Sequence, residues 1–330
     1  MIKDLKYFLF LIIFPFIISC SGGGGGGSSA DCGTICSSGG YLTEYNNQEG
    51  LALIGAVTAN AAGYTGNGVK VAVVDTGIDS SHVEFQGKFI GGGSYGGGSG
   101  YSNTSDGNGH GTHVASIIAG HRGGTGMRGV AYDSSLYSYR IADDNGSITL
   151  SDSNWSSLID SHRTNNIDVS NNSWGSTSVM IDDINSTWIT NNFSSEAARY
   201  QNSVSNDTVH VWITHNQSDT QPSYQAGLPA VVDNIEDGWI AVMALDNNKQ
   251  ETEYTSRCGN AADWCVAAPG GGDNQSSEGI YSVQSGGGYT RLSGTSMAAP
   301  HVTGLLALVK ERFSSSLTNK QVRTRLLNGA

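Results

Sequence analysis

Apolar positions in this chain form two kinds of run, short continuous ones and longer ones with a helical repeat. Val69-Lys70-Val71-Ala72-Val73-Val74 is short, β-branched and ends in Asp75-Thr76-Gly77-Ile78-Asp79, which predicts a buried parallel strand. Thr208-Val209-His210-Val211-Trp212-Ile213 predicts another, ended by Thr214-His215-Asn216-Gln217. Val114 to Ala119 predicts a helix with His110 at its N-terminus. Val302, Leu305, Leu306, Leu308 and Val309 recur at a spacing that buries one face of a helix opened by Gly294-Thr295-Ser296. Pro300 is expected in its first turn, where a missing N–H has no helical partner. A last helix is predicted from Thr318 to Leu327. Glycines crowd residues 22–27 and the segment Gly91 to Gly111, which predicts a mobile loop before His110, a tolerated insertion rather than a lid.

Three reactive side chains stand at the ends of these runs. Ser296 lies where helix N–H groups and the positive end of the dipole point, a place suited to an oxyanion. A serine hydroxyl needs a base and a group that orients the base. His110 and Asp75 supply both, Asp75 from the carboxyl end of a strand, where open α/β sheets place their sites. Asp79 competes locally with Asp75, and His82, His113 and His301 are read as structural. Asp75-Thr76-Gly77 also matches the aspartic-protease triplet, but that chemistry needs two carboxylates and the chain has one copy. His110-Gly111-Thr112-His113 lacks the spacing and the glutamate of a zinc-protease helix, so no metal ligands are assigned.

With the order Asp75, His110, Ser296, the chain resembles the subtilisin-like serine peptidases (peptidase family S8) from about Asn46 to the C-terminus. Val73 to His82 looks like the aspartate motif of that family, His110 to Ala115 its histidine motif, and Gly294 to Pro300 its serine motif. Gly129-Val130-Ala131 and Asp168 to Gly175 fall where the family has two more core strands. The resemblance implies an α/β fold, a three-layer sandwich with a largely parallel central sheet, and a serine endopeptidase working through an acyl-enzyme. It implies Asn216 as the oxyanion donor, although His215 stands where the family commonly has glycine. It also implies peptide binding by strand addition along Asp144-Asn145-Gly146-Ser147 and Ser173-Trp174-Gly175. No cofactor is required. Glu84 aligns with a structural calcium ligand, but residues 120–124 lack the asparagines that complete such a site, which is expected to be absent.

The formal net charge of −12 argues against nucleic acid and favours a soluble, self-repelling surface; a monomer is expected, and the resemblance implies a protein or peptide substrate. Met1 to Lys6, the apolar run Tyr7 to Ile18 and Ser19-Cys20 describe an export signal. Ile17-Ile18-Ser19-Cys20 resembles the bacterial lipobox, with Cys20 lipidated and Ser21 after it favouring the outer membrane of a Gram-negative cell. The expected organisation is therefore a signal over 1–20, a Gly/Ser-rich tether over 21–45 and a peptidase domain over 46–330. The lipobox, the tether and the long stretch from Pro222 through Asp246 look like autotransporter lipoprotein subtilases. No β-barrel follows and little chain follows the last helix, so a truncated C-terminus is expected, and there is no room for a long propeptide. Cys32, Cys36, Cys258 and Cys265 allow three connectivities, of which the one made of the two local pairs is simplest. The alternative from another class is a non-catalytic surface binding or adhesive module that keeps the fold.

Overall fold

The computed structural model describes residues 39–98, 100–123, 126–313 and 316–329. The export signal, Cys20, Cys32, Cys36 and most of the tether lie outside the described residues. Seven strands, β1 (Lys70–Asp75), β2 (Phe89–Ser94), β3 (Ser135–Arg140), β4 (Val169–Asn172), β5 (Val209–Ile213), β6 (Trp239–Leu245) and β7 (Cys265–Pro269), form one sheet. Their spatial order is β2-β3-β1-β4-β5-β6-β7, and every pairing is parallel.

Successive strand residues point to opposite faces, and both faces are covered. Val71, Val73, Val209, Val211, Ile213, Ile240 and Val242 pack with the helices His110–Ala119 and Thr295–Phe313. Ala72, Val74, Trp212, Trp239 and Ala241 pack on the other side with Trp155, Leu158, Tyr200 and Val204 from the helices Asp152–Asn165 and Ser194–Ser205. This is the expected three-layer α/β sandwich. Burial on both faces explains why β1, β5 and β6 read as largely apolar runs. A hairpin of β8 (Ile280–Val283) and β9 (Tyr289–Leu292) lies against the first of these helices, where Ser282 Oγ donates to His113 O at 2.9 Å.

Four expectations change. The segment from Gly91 opens as β2, an edge strand paired with β3, so only its later part is loop. Gly129-Val130-Ala131 is not a strand. Its N–H groups donate to the carbonyls of Gly120, Ile117 and Ile118, closing the end of the histidine-bearing helix, and β3 begins four residues after Ala131. Pro300 sits in the second turn of its helix rather than the first. A short helix, Gly39–Asn46, crosses the expected boundary at residue 46, with Glu44 fully buried, so packing starts earlier. The local pair Cys258–Cys265 is a disulfide, joining the two ends of a 3-10 turn (Gly259–Trp264) that leads into β7.

Buried histidines give the fold an acid limit. Burial holds His162 at about 3, and burial, reinforced by the neighbouring His110 charge, holds His113 at about 3; burial also lowers His301 to about 4. The unfolded chain binds these protons below about 6.5 while the folded chain does not, so stability falls as pH drops from there toward 4. Neither ring nitrogen of His162 has a hydrogen-bond partner among the described residues. We expect His162→Phe to raise the thermal midpoint relative to the parent at pH 5 more than at pH 8. Calorimetry at the two pH values checks this, and an equal or reversed effect would contradict it.

Candidate active site

Three neighbouring strand ends carry the candidate residues. β1 ends in Asp75, β4 runs into Ser173 and β5 runs into His215 and Asn216. The Asp75 carboxylate is 4 % exposed, and its Oδ1 accepts from Thr76 N at 2.8 Å and meets His110 Nδ1 at 2.7 Å. A carboxylate can only accept, so Nδ1 carries the proton and the neutral ring has Nε2 free as a base. Burial disfavours the charged ring, but the Asp75 carboxylate, with Asp106 behind it, outweighs burial and holds His110 above the usual histidine range.

His110 is the first residue of its helix, and the approach of that helix to β1 depends on glycine. A methyl on Gly111 would stand 2.2 Å from Gly77 O and 3.0 Å from Asp75 Cβ. The preceding turn is held by Asp106, a buried carboxylate absent from the sequence reading. It accepts from Gly109 N (2.8 Å), Thr76 Oγ1 (2.9 Å), Thr112 N (2.9 Å) and Thr112 Oγ1 (2.6 Å). The signal is an Asp three residues ahead of Gly109-His110-Gly111, which opens the helix, a local capping pattern.

Ser296 sits in the first turn of the helix Thr295–Phe313, where N–H groups lack helical partners. Its Oγ donates to Ser173 O at 3.0 Å and makes no bond to His110. Its own carbonyl is released from the helix because Pro300, four residues on, has no N–H. Ser173 Oγ donates to that carbonyl at 2.9 Å, Asn171 Nδ2 donates to Ser173 Oγ at 2.9 Å, and Thr303 Oγ1 donates to Asn171 Oδ1 at 2.8 Å. A buried chain of hydrogen bonds thus ties the serine turn to β4. Asn216 is oriented too. Its Oδ1 accepts from Thr295 N (2.9 Å) and Thr295 Oγ1 (2.8 Å), and a methyl on Gly294 would stand 3.1 Å from Nδ2. Two donors fix the oxygen, so the amide N–H₂ faces the open side near the start of the serine helix.

A cleft of about 230 Å³ lies beside His110, walled by Ile141, Ala142, Gly146, Ile148 and Trp174. Trp174 is braced edge-on by Trp155 and Trp212 at 5.3 and 5.0 Å. Gly146 therefore reaches the site, but residues 144–147 form a tight turn rather than an extended edge. Asp143 Oδ1 accepts from Asn145 N and Ser147 N, Gly146 N donates to Asp143 O, and Ser147 O accepts from Asp143 N. The backbone groups expected to meet a peptide there are largely used within the turn.

Residues 66–330 match the sequence profile of the Subtilase family, Peptidase_S8. The chain belongs to this family. Subtilisin DY of Bacillus licheniformis is 36% identical over 283 residues, spanning 85% of this chain and 90% of that protein. Alkaline elastase YaB of a Bacillus strain is 33% identical, spanning 85% of this chain and 64% of that one. An extracellular serine protease of Serratia marcescens is 30% identical over 82% of this chain but only 30% of its own length. Among solved structures, a cold adapted subtilisin-like serine proteinase superposes with a TM-score of 0.59 at 26% identity, covering 79% of this chain and 81% of that chain.

As a subtilase the protein is a serine-type endopeptidase with protein or peptide substrates. At the calcium-ligand position, Glu84 Oε1 accepts the Tyr289 hydroxyl at 2.7 Å, and beside it Glu44 Oε1 accepts Gly123 N–H at 2.8 Å. Burial pushes the Glu84 carboxyl up to about 7, toward the neutral form. No cluster of three or more His, Cys, Asp or Glu able to hold a metal occurs among the described residues.

Removing the Asp106 carboxylate orphans four donors at the histidine turn. We expect Asp106→Ala to lower the unfolding free energy by at least about 2 kcal/mol. Urea unfolding measures it, and a loss under about 0.5 kcal/mol would remove Asp106 from this role.

Proposed function

We propose that Asp75, His110 and Ser296 act as one triad, with Asn216 and the Ser296 N–H forming the oxyanion hole. The observation that carries this reading is the 2.7 Å bond from His110 Nδ1 to a buried carboxylate, which leaves Nε2 as the base. At rest Ser296 Oγ is held by Ser173 O. A substrate backbone N–H that takes this carbonyl frees the hydroxyl to turn to His110 Nε2. Nε2 then removes the Oγ proton as Oγ bonds to the scissile carbonyl carbon. The carbonyl oxygen becomes an oxyanion, bonded by Asn216 Nδ2 and Ser296 N–H. Collapse returns that proton through Nε2 to the leaving amine and gives the acyl-enzyme. Water, deprotonated by the same nitrogen, hydrolyses it. Ser173, Trp174 and Gly175 flank the acyl side, and the cleft at Trp174 and Gly146 takes residues further upstream.

Fluorophosphonate labelling tests the nucleophile. We expect one adduct, on Ser296, and a loss in turnover on the order of 10⁴–10⁶ for Ser296→Ala, the scale that triad removal has in subtilisin. A variant keeping more than a tenth of the activity would contradict the assignment. The raised His110 keeps the ring protonated to higher pH, and only the neutral ring is a base. The acid limb of kcat/KM should therefore have its midpoint above about 6.5, the ordinary histidine value, and a midpoint below it would contradict the Asp75 pairing.

The sequence supports a further reading for the N-terminus. Residues 1–20 act as a lipoprotein signal, Cys20 carries the lipid, and a tether holds the peptidase domain at the outer membrane or surface of a Gram-negative cell, as in autotransporter subtilases. No helix among the described residues is long and apolar enough to cross a membrane. Cys20→Ala should release the enzyme from the membrane fraction and abolish incorporation of a clickable fatty acid. Unchanged fractionation would overturn the anchor.

A further inference from the structure

His215 stands at φ 96°, a left-handed conformation that glycine adopts freely and a histidine adopts only under strain. The surroundings hold it there. Ser256 N donates to His215 O at 2.8 Å, and Asn216 N donates to the His215 ring at Nδ1, 2.9 Å away. A backbone N–H only donates, so Nδ1 is the acceptor and the ring proton is on Nε2. Burial lowers the affinity of the ring for a second proton, so it is an uncharged wall at neutral pH.

That wall closes a specific gap. β4 and β5 are paired neighbours up to Asn172 and Trp212, and beyond the sheet their continuations, Ser173–Gly175 and Thr214–Asn216, bound a crevice. The His215 ring spans it, because a methyl on Gly175 would stand 3.3 Å from His215 Cδ2. Ser223 Oγ bounds the same place, 3.0 Å from that methyl position, and is fixed by donation to Ile213 O at 3.3 Å.

The catalytic reading above decides what enters. The residue supplying the scissile carbonyl has its oxygen between Asn216 Nδ2 and the Ser296 N–H and its N–H at Ser173 O. Its backbone therefore passes between the two strand continuations, and its side chain projects into the crevice bounded by Gly175 and His215. We infer that His215 is a specificity-determining residue whose imidazole fills this crevice and restricts the residue before the scissile bond to small side chains. The inference rests on the triad reading. A glycine at position 215 would leave the space open and would also suit the backbone.

Peptide anilides that differ only in Ala or Phe before the scissile bond test it. The parent should favour Ala over Phe in kcat/KM by about tenfold or more, and His215→Gly should lower that ratio by about tenfold or more, the scale of a few methylenes in a pocket. If His215→Gly fails to fold, His215→Asn, which tolerates the left-handed region, should lower the ratio by at least about threefold. A parent that prefers Phe, or an active variant with an unchanged ratio, overturns the role of His215 and leaves the triad standing. A folded parent that cleaves neither peptide and takes no fluorophosphonate at Ser296 overturns both.

Discussion

The bond between Asp75 and His110 ties the end of a central strand to the first residue of the helix packed against it. Asp75 closes a central strand and is almost wholly buried, with an N–H and an imidazole on Oδ1 to offset the burial of its charge. Bringing the imidazole there requires the helix to touch the strand, which is why Gly111 faces Gly77 O with no room for a methyl. Asp106 then satisfies the N–H groups of the turn and adds a second negative charge behind the ring. Fold and basicity are therefore set by the same contacts. Whatever loosens the helix from β1 also weakens the base.

A comparable coupling runs through the serine turn. Pro300 denies Ser296 O its helical donor, and Ser173, Asn171 and Thr303 provide a replacement across the sheet. Thr295 performs a related service for Asn216 by claiming its carbonyl oxygen twice and turning its N–H₂ outward. The proposed nucleophile, oxyanion donor and substrate-facing carbonyl are thus each held by hydrogen bonds at the carboxyl ends of β4 and β5. Such preorganisation is what makes donors effective when charge develops.

Much of this was legible before any coordinates. The runs at 69–74 and 208–213 lie within a residue or so of β1 and β5, and the helices at His110 and Ser296 start where their motifs place them. Those signals are local, carried by period and capping. What was not legible depended on partners far along the chain. Gly129-Val130-Ala131 looks apolar enough for a strand, but its N–H groups go to the end of a neighbouring helix. β3, written Ser-Leu-Tyr-Ser-Tyr-Arg, hides its burial behind polar letters. Pro300 reads as a first-turn proline because nothing local reveals Ser173, just after β4, waiting for the carbonyl it frees. The exposed-edge reading of 144–147 failed for a simpler reason, since Asp143 gathers the N–H groups of its own turn.

The central claim is that a hydroxyl, an imidazole and an amide from three elements converge on one reacting carbon. The most direct measurement is a crystal structure of the protein inactivated by a peptidyl chloromethyl ketone. We expect Ser296 Oγ bonded to the former carbonyl carbon, His110 Nε2 alkylated by the methylene, and the hemiketal oxygen about 3 Å from both Asn216 Nδ2 and Ser296 N. An inhibitor attached to any other side chain, or a hemiketal oxygen turned away from Asn216, would contradict it.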